Sequence, residues 1–316
     1  MARLRVLCWP GMPAGEALEE AAARAGVQVE VTVISSNEDL EADLAASSFD
    51  LVFPSDYLVE CLAGRGALLE LDLPAAVPGR LAGWAREAPH DPGCRWSLPF
   101  AFGTTGYLCD ARLGPADSWR ELLAPADGVR VGMLSEVREV VGAALLAAGR
   151  SPNDVSPAAL AAARALLLEQ RPRVARYDSD DFIGPVVEGE VSAHQAWSGP
   201  AAAAVREHPG LRYVVPAEGA VLWVTAGAVP IAAPDPEGAR RLLLELADPA
   251  LAAQTTLRNG YATPSEAARA LLPVVLREDR ALFPPEATVR RCAALHDLGA
   301  DEARLKALFD EVVAAG

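Results

Sequence analysis

The chain has 316 residues, with 43 Asp and Glu against 28 Lys and Arg and a formal net charge of −15. That length suits two units of ~150 residues better than a single core, and a surface this acidic repels the phosphate backbone of nucleic acids. No apolar run is long enough to span a bilayer. Hydrophobic residues make up 51% of the chain and aromatic residues only 6%, so each of the six tryptophans is worth placing.

The first third alternates strand-like and helix-like segments. Leu4–Cys8 reads as a buried strand, 15–25 as an amphipathic helix and the β-branched run 27–34 as a second strand. A helix over 38–46, a short buried strand over 50–54 and a helix over 58–64 follow. Strand–helix–strand alternation predicts a mainly parallel sheet flanked by helices, which binds ligands at the carboxyl ends of its strands. Two segments sit at such ends: Trp9-Pro10-Gly11-Met12 and Ser55-Asp56-Tyr57.

The middle restarts the pattern. Strands are expected at 106–109, 129–133 and 193–197, and helices at 139–148 and 157–169. Ser156-Pro157 marks a helix start, because Ser caps well and Pro suits the first helical position. Ser198-Gly199-Pro200 opens an Ala-rich helix. The last third offers a strand over 221–230, a helix over 236–246 and further helices rich in Arg, Ala and Leu. There is no internal repeat and no low-complexity linker, so strand-like crossings have to join the two units.

Five cysteines, Cys8, Cys61, Cys94, Cys109 and Cys292, show no CxxC spacing, which indicates neither a zinc site nor a redox motif. Four scattered histidines and the lack of a Gly-rich loop followed by Lys point to no metal, nucleotide or other cofactor. No charged and apolar leader precedes the first strand. Either a signal was removed or the protein is cytoplasmic.

An ordered set of short motifs carries a resemblance. It comprises Leu7-Cys8-Trp9, Ser36-Asn37-Glu38, the run from Phe49 to Tyr57, Ser97-Leu98-Pro99-Phe100 and Gly103-Thr104-Thr105-Gly106. It continues through Ser118-Trp119, Arg138-Glu139, Asp178-Ser179-Asp180 and Glu188-Gly189-Glu190-Val191. It ends in Trp197-Ser198-Gly199, Pro216-Ala217-Glu218-Gly219, Trp223 and Gly260-Tyr261-Ala262-Thr263-Pro264. Each motif is only a few residues, but together they span nearly the whole chain in order. The chain resembles the spermidine/putrescine-binding proteins of bacterial ABC transporters.

The resemblance implies a two-lobed α/β fold of the type II periplasmic-binding-protein kind. One lobe is expected from 1–104 plus 224–271, the other from 105–223 plus 272–316. It also implies a monomeric, non-enzymatic, extracytoplasmic protein that takes its ligand between lobes and hands it to a membrane permease. Carried over by position, Trp9, Tyr57, Trp197, Trp223 and Tyr261 would form an aromatic box. Glu136 and Glu139 would be an acidic pair for an amine, and Ser55 and Ser179 small hydroxyl partners. The chemistry suits a cation, since aromatic faces attract it and carboxylates hold an ammonium by charge-assisted hydrogen bonds. Two acids three apart are expected on one helical face, with Arg138 between them able to neutralise one. The other three tryptophans, Trp84, Trp96 and Trp119, match no ligand position and read as core.

Departures from the family pattern narrow the ligand. Thr225 stands where the family carries an Asp for an amine, Gly11 and Met12 where it has polar and aromatic residues, and Leu295 where a Gln is expected. Burying an ammonium without a partner is expensive. A ligand with one charged end and an apolar body, or a quaternary ammonium, therefore fits better than a long polyamine. A neutral or zwitterionic metabolite on the same fold is the alternative, and a thiamine-cleaving enzyme using Cys8 beside Trp9 is a further one.

Overall fold

The structure is a computed structural model that describes residues 2–13, 15–113 and 117–315. The chain divides into two compact units, residues 1–102 with 223–278 and residues 103–222 with 279–316. It passes between them inside two strands and again at 278–279.

Unit 1 contains β1 (Arg3–Cys8), α1 (Gly15–Ala25), β2 (Gln28–Val33), α2 (Asn37–Ala46), β3 (Leu51–Val52), α3 (Asp56–Gly64) and α4 (Gly83–Arg86). Strand β4 (Ser97–Asp110) then leads into unit 2. Unit 2 continues with α5 (Arg120–Leu123), β5 (Val131–Met133), α6 (Val137–Ala147), α7 (Pro157–Gln170), β6 (Val174–Tyr177) and α8 (Gly184–Val187). Strand β7 (Ala193–Trp197), α9 (Ser198–Glu207) and β8 (Leu211–Val214) follow. Strand β9 (Val221–Ala228) returns the chain to unit 1, which adds α10 (Pro236–Leu246), α11 (Pro249–Asn259), α12 (Glu266–Arg269) and α13 (Val274–Arg277). Helices α14 (Glu286–Val289) and α15 (Glu302–Ala314) complete unit 2.

In unit 1 the strand order is β2-β1-β3-β9. The first three strands are parallel and β9 is antiparallel to β3. Burial explains the sequence pattern: β1 is buried on both faces from Val6 onward, which is why Leu4–Cys8 reads as a mainly apolar run with Arg5 its one polar residue. One core packs Leu4, Val6 and Leu51 beneath α1, α10 and α11. A second, of Leu7, Val52, Leu58 and Ala228, lies on the other face. Strand β3 is shorter than the expected 50–54. Its ladder ends where Phe53 donates to the Leu7 carbonyl at 2.9 Å, because Pro54 has no N–H to extend it.

In unit 2 the order is β4-β7-β5-β6, with β8 also on β4. Strand β4 pairs antiparallel with both β7 and β8, and β5 pairs parallel with β6 and β7. Its main core gathers Tyr107, Trp119, Val131, Val141, Leu167 and Phe309. A glycine fixes one close approach here: a Cβ on Gly132 would lie 1.9 Å from the His194 ring, so His194 occupies space that any other residue would fill.

Three readings from the sequence need correction. Strand β4 starts at Ser97, well before the expected 106, since Pro99 obscures a strand signal. Helices α2 and α3 begin at Asn37 and Asp56, one and two residues earlier than read, with the Ser36 hydroxyl capping α2 through the Asp39 N–H. Of the tryptophans assigned to the core, Trp119 is 1% exposed and donates to the Gly219 carbonyl. Trp84 and Trp96 are only half-buried, one edge-on to Phe102 and the other under the Arg95 guanidinium.

Among the described residues no helix is long and apolar enough to cross a membrane, and no three His, Cys, Asp or Glu side chains gather as a metal site would require. Among the described residues the cysteines form no disulfide.

Candidate functional site

The candidate residues fall into two groups, one in each unit. In unit 1 the loop after β1 is a tight turn. The Met12 N–H donates to the Trp9 carbonyl at 3.1 Å, with Pro10 second and Gly11 third at φ +66°. This is the residue order such a turn demands, because only Gly enters the left-handed region without strain. Met12 goes into the core at 3% exposure while Trp9 stays half-buried against both cores of the unit. Asn259 at the end of α11 clamps the loop. Its Nδ2 donates to the Gly11 carbonyl at 3.2 Å and its Oδ1 accepts from the Tyr261 N–H at 2.9 Å.

Trp223, on β9, meets Tyr261 edge-to-face with ring centroids 5.3 Å apart. Two residues further on, Thr225 is buried and forms a backbone bridge to Ser55. Asn37 at the start of α2 completes this group. Its Oδ1 accepts from the Ser55 N–H at 3.2 Å and its Nδ2 donates to the Tyr57 hydroxyl at 2.8 Å. Contacts thus run from Trp9 through Gly11, Asn259, Tyr261, Trp223, Thr225, Ser55 and Asn37 to Tyr57. Burial pushes the Tyr261 phenol up to about 12, so it stays neutral at any physiological pH.

The indole N–H groups of Trp9 and Trp223 are both buried and have no acceptor in the protein. In this neighbourhood Asp56 is the buried carboxylate, and its Oδ1 accepts the Tyr57 N–H at the amino end of α3.

In unit 2 the acids part company. Glu139 lies in the first turn of α6 at 8% exposure, while Glu136 precedes the helix in extended backbone, φ −83° and ψ 118°. The expectation that both lie on one helical face therefore fails. Arg138 is among the groups that lower the Glu139 carboxyl, by less than burial raises it. Its guanidinium reaches Glu302 at 3.1 Å, Asn153 at 2.9 Å and the His296 carbonyl. Burial pushes the Glu139 carboxyl up to about 7, opposed by contacts with Thr105 and Trp197 and reinforced by the nearby Glu136.

Trp197 ends β7 and donates its Nε1 to Glu139 Oε1 over a long 3.5 Å. Phe182 stands perpendicular to that indole at 5.4 Å. The Thr105 hydroxyl lies close to the carboxyl without hydrogen-bond geometry, and Glu139 Oε2 and Gln195 Oε1 are buried with no donor. The Gln195 amide holds the Glu139 carbonyl at 2.9 Å. Ser179 is used locally, accepting from the Ser135 N–H and hydroxyl at 2.9 Å each.

Four polar residues went unread as site residues: Asn37, Thr105, Gln195 and Asn259. Two carried a signal. Gln195 and His194 interrupt an apolar strand, and Thr105 lies between glycines in another. Cys8, proposed as a reactive thiol in one alternative, is buried, and desolvation pushes its thiol up to about 12. A thiolate does not form there at neutral pH.

Residues 16–284 match the family of bacterial extracellular solute-binding proteins. The chain is 33% identical over 292 residues to spermidine/putrescine-binding periplasmic protein 1 of Haemophilus influenzae, covering 89% of this chain and 81% of the relative. It is 31% identical over 336 residues to a putrescine/cadaverine-binding protein of Pseudomonas aeruginosa, covering 98% and 93%. Among solved structures it is similar to a putative spermidine/putrescine ABC transporter from Listeria monocytogenes, with a TM-score of 0.89, 25% identity and 99% of each chain covered.

Proposed function

The chain belongs to the bacterial extracellular solute-binding proteins and has the α/β fold of the two-lobed periplasmic binding proteins, and from that premise we propose that it captures a small organic cation for an ABC transporter. The observation that carries this reading is Glu139, a buried carboxyl with one oxygen lacking any donor, beside the indole of Trp197. An ammonium supplies the missing donors and the charge that stabilises the ionised form. Trp197 adds a ring face for the same charge, and Glu136 adds a second negative charge nearby.

In unit 1 the residues that the family resemblance marks for ligand contact are Trp9, Ser55, Tyr57, Trp223, Thr225 and Tyr261. Ligand binding shifts an equilibrium toward a closed form that the permease recognises. Binding without chemistry agrees with the high pKa of Cys8. An extracytoplasmic location and a permease partner rest on the periplasmic binding proteins named among the relatives.

Isothermal titration with putrescine, spermidine, agmatine and choline tests the reading. Saturable binding of at least one is expected, with release of a fraction of a proton near pH 7. Silence from every cation would sink it.

A further inference from the structure

Glu139, Gln195 and Thr105 come together inside unit 2, and each buries a polar atom without a partner. Glu139 Oε2 and Gln195 Oε1 have no donor, and the Thr105 hydroxyl bonds to nothing. Strand register explains the gathering. Thr105 lies opposite Trp197 across β4 and β7, and Gln195 lies two residues before Trp197, on the same face of β7. The Gln195 Nε2 donates to the Glu139 carbonyl at 2.9 Å, and Trp197 and Thr105 stand beside the Glu139 carboxyl.

The contact to the carbonyl also fixes the Gln195 amide. Turned over, its oxygen would face the Glu139 carbonyl, acceptor against acceptor. Oε1 is therefore held as an acceptor beside the residue that carries the other unmet acceptor. Two acceptors cannot satisfy each other while the carboxyl is ionised. One proton on Glu139 Oε2 changes the count, because it makes that oxygen a donor for Gln195 Oε1.

The charges around the carboxyl agree with a bound proton. Glu136, just before α6, disfavours ionisation, and Arg138 favours it by less than burial opposes it, its guanidinium being engaged with Glu302 on α15. The Tyr213 phenol on β8 is pushed up by burial and stays neutral. His194, next to Gln195 on β7, is pushed down to about 4 by burial and is neutral as well.

We propose that in the ligand-free protein Glu139 carries a proton on Oε2 and donates it to Gln195 Oε1. Gln195 is then a positioning residue, which acts on the ligand only through Glu139 and sets the pH at which the carboxylate is released to an incoming cation. That consequence rests on the reading that Glu139 receives the cation, whereas the resting state does not. When the carboxylate is released the O–H bond breaks, the oxygen keeps the electron pair and the proton passes to solvent.

Infrared spectroscopy of the ligand-free protein tests this. Subtracting the spectrum of Glu139→Gln at pH 6 is expected to leave one carboxylic-acid carbonyl band, at the lowered frequency of an acid that donates its proton, titrating near pH 7. In Gln195→Met, which keeps the bulk and lacks the oxygen, the midpoint falls by about one pH unit, the scale of one hydrogen bond. A glutamine that only holds the backbone gives the other sign, because an apolar replacement deepens the burial and leaves the midpoint unchanged or higher; that result overturns the inference. No acid band at pH 6, or a band at the frequency of an acid that donates to nothing, overturns it without any variant at Gln195 and leaves the amine reading standing. A donating-acid band that saturating 1,4-diaminobutane does not remove bears out the resting state and removes the amine reading from this carboxyl.

Discussion

Unit 1 and unit 2 each offer one aromatic cluster, yet they differ in what those clusters lack. Around Trp197 the buried orphans are acceptors on Glu139 and Gln195, and the carboxyl is poised near pH 7. Around Trp223 the indole N–H groups of Trp9 and Trp223 have no acceptor in the protein, and the buried carboxylate of the neighbourhood, Asp56, accepts the Tyr57 N–H at the start of α3. Two aromatic patches that look alike in composition therefore differ in the polar atoms that back them.

The largest effect should come from removing the acid. Glu139→Gln is expected to weaken binding of an amine by ~100-fold or more, the scale of losing a buried charge-assisted contact. The same variant should gain stability. The folded pKa of Glu139, about 7, lies above the unfolded value of 4.5. The unfolded chain thus loses its proton first, and stability falls as pH rises from about 4.5 to about 7 before levelling. That burial penalty is roughly 3 kcal/mol, and Gln escapes it. Thermal melts at pH 8 on both proteins would show the variant melting higher, and equal melts would refute the assignment.

Next in size is the pH dependence of binding itself. An ammonium needs the ionised carboxylate, so affinity should fall by roughly tenfold per pH unit below about 7 and flatten above it. Titrations at pH 8, 7, 6 and 5 would show the break, and a flat profile would place the ammonium elsewhere.

Trp197→Ala should cost about fivefold to thirtyfold in affinity for a cation, the scale of one partly desolvated ring. Trp223→Ala should cost less, because its indole, unlike that of Trp197, makes no contact with a carboxyl. Equal losses in both variants would erase the difference between the units.

A smaller effect is expected at the Trp9 loop. Gly11→Ala forces a side chain into φ +66°, at about 1–2 kcal/mol, with a melting point lower by a few degrees. Cys8→Ser should leave ligand affinity unchanged, read by the same titration.

Much of this arrangement was legible before any coordinates. Ser156-Pro157 fixed the start of α7 through local chemistry, and the apolar run from Leu4 announced a strand buried on both faces. The assignment of Trp9, Trp197, Trp223 and Tyr261 to ligand contact rests on motif order alone. What stayed hidden depends on contacts distant in sequence. Nothing near Asn259 tells that its side chain spans 248 residues to the Gly11 carbonyl. The pairing of Arg138 with Glu302 is of the same kind. The helical spacing of Glu136 and Glu139 misled because an i, i+3 rule holds only inside a helix, and α6 begins between them.

Arg138 also bears on how this protein can be handled. Its guanidinium is 7% exposed and leans on Glu302, the first residue of α15, and on the His296 carbonyl just upstream. Trimming α15 would leave a cation inside the protein one residue from Glu139, at a cost of about 3–5 kcal/mol. A reporter dye or surface tether intended to follow ligand capture therefore belongs on an exposed loop of unit 1. The start of α15 is, mechanically, the footing on which Arg138 rests beside Glu139.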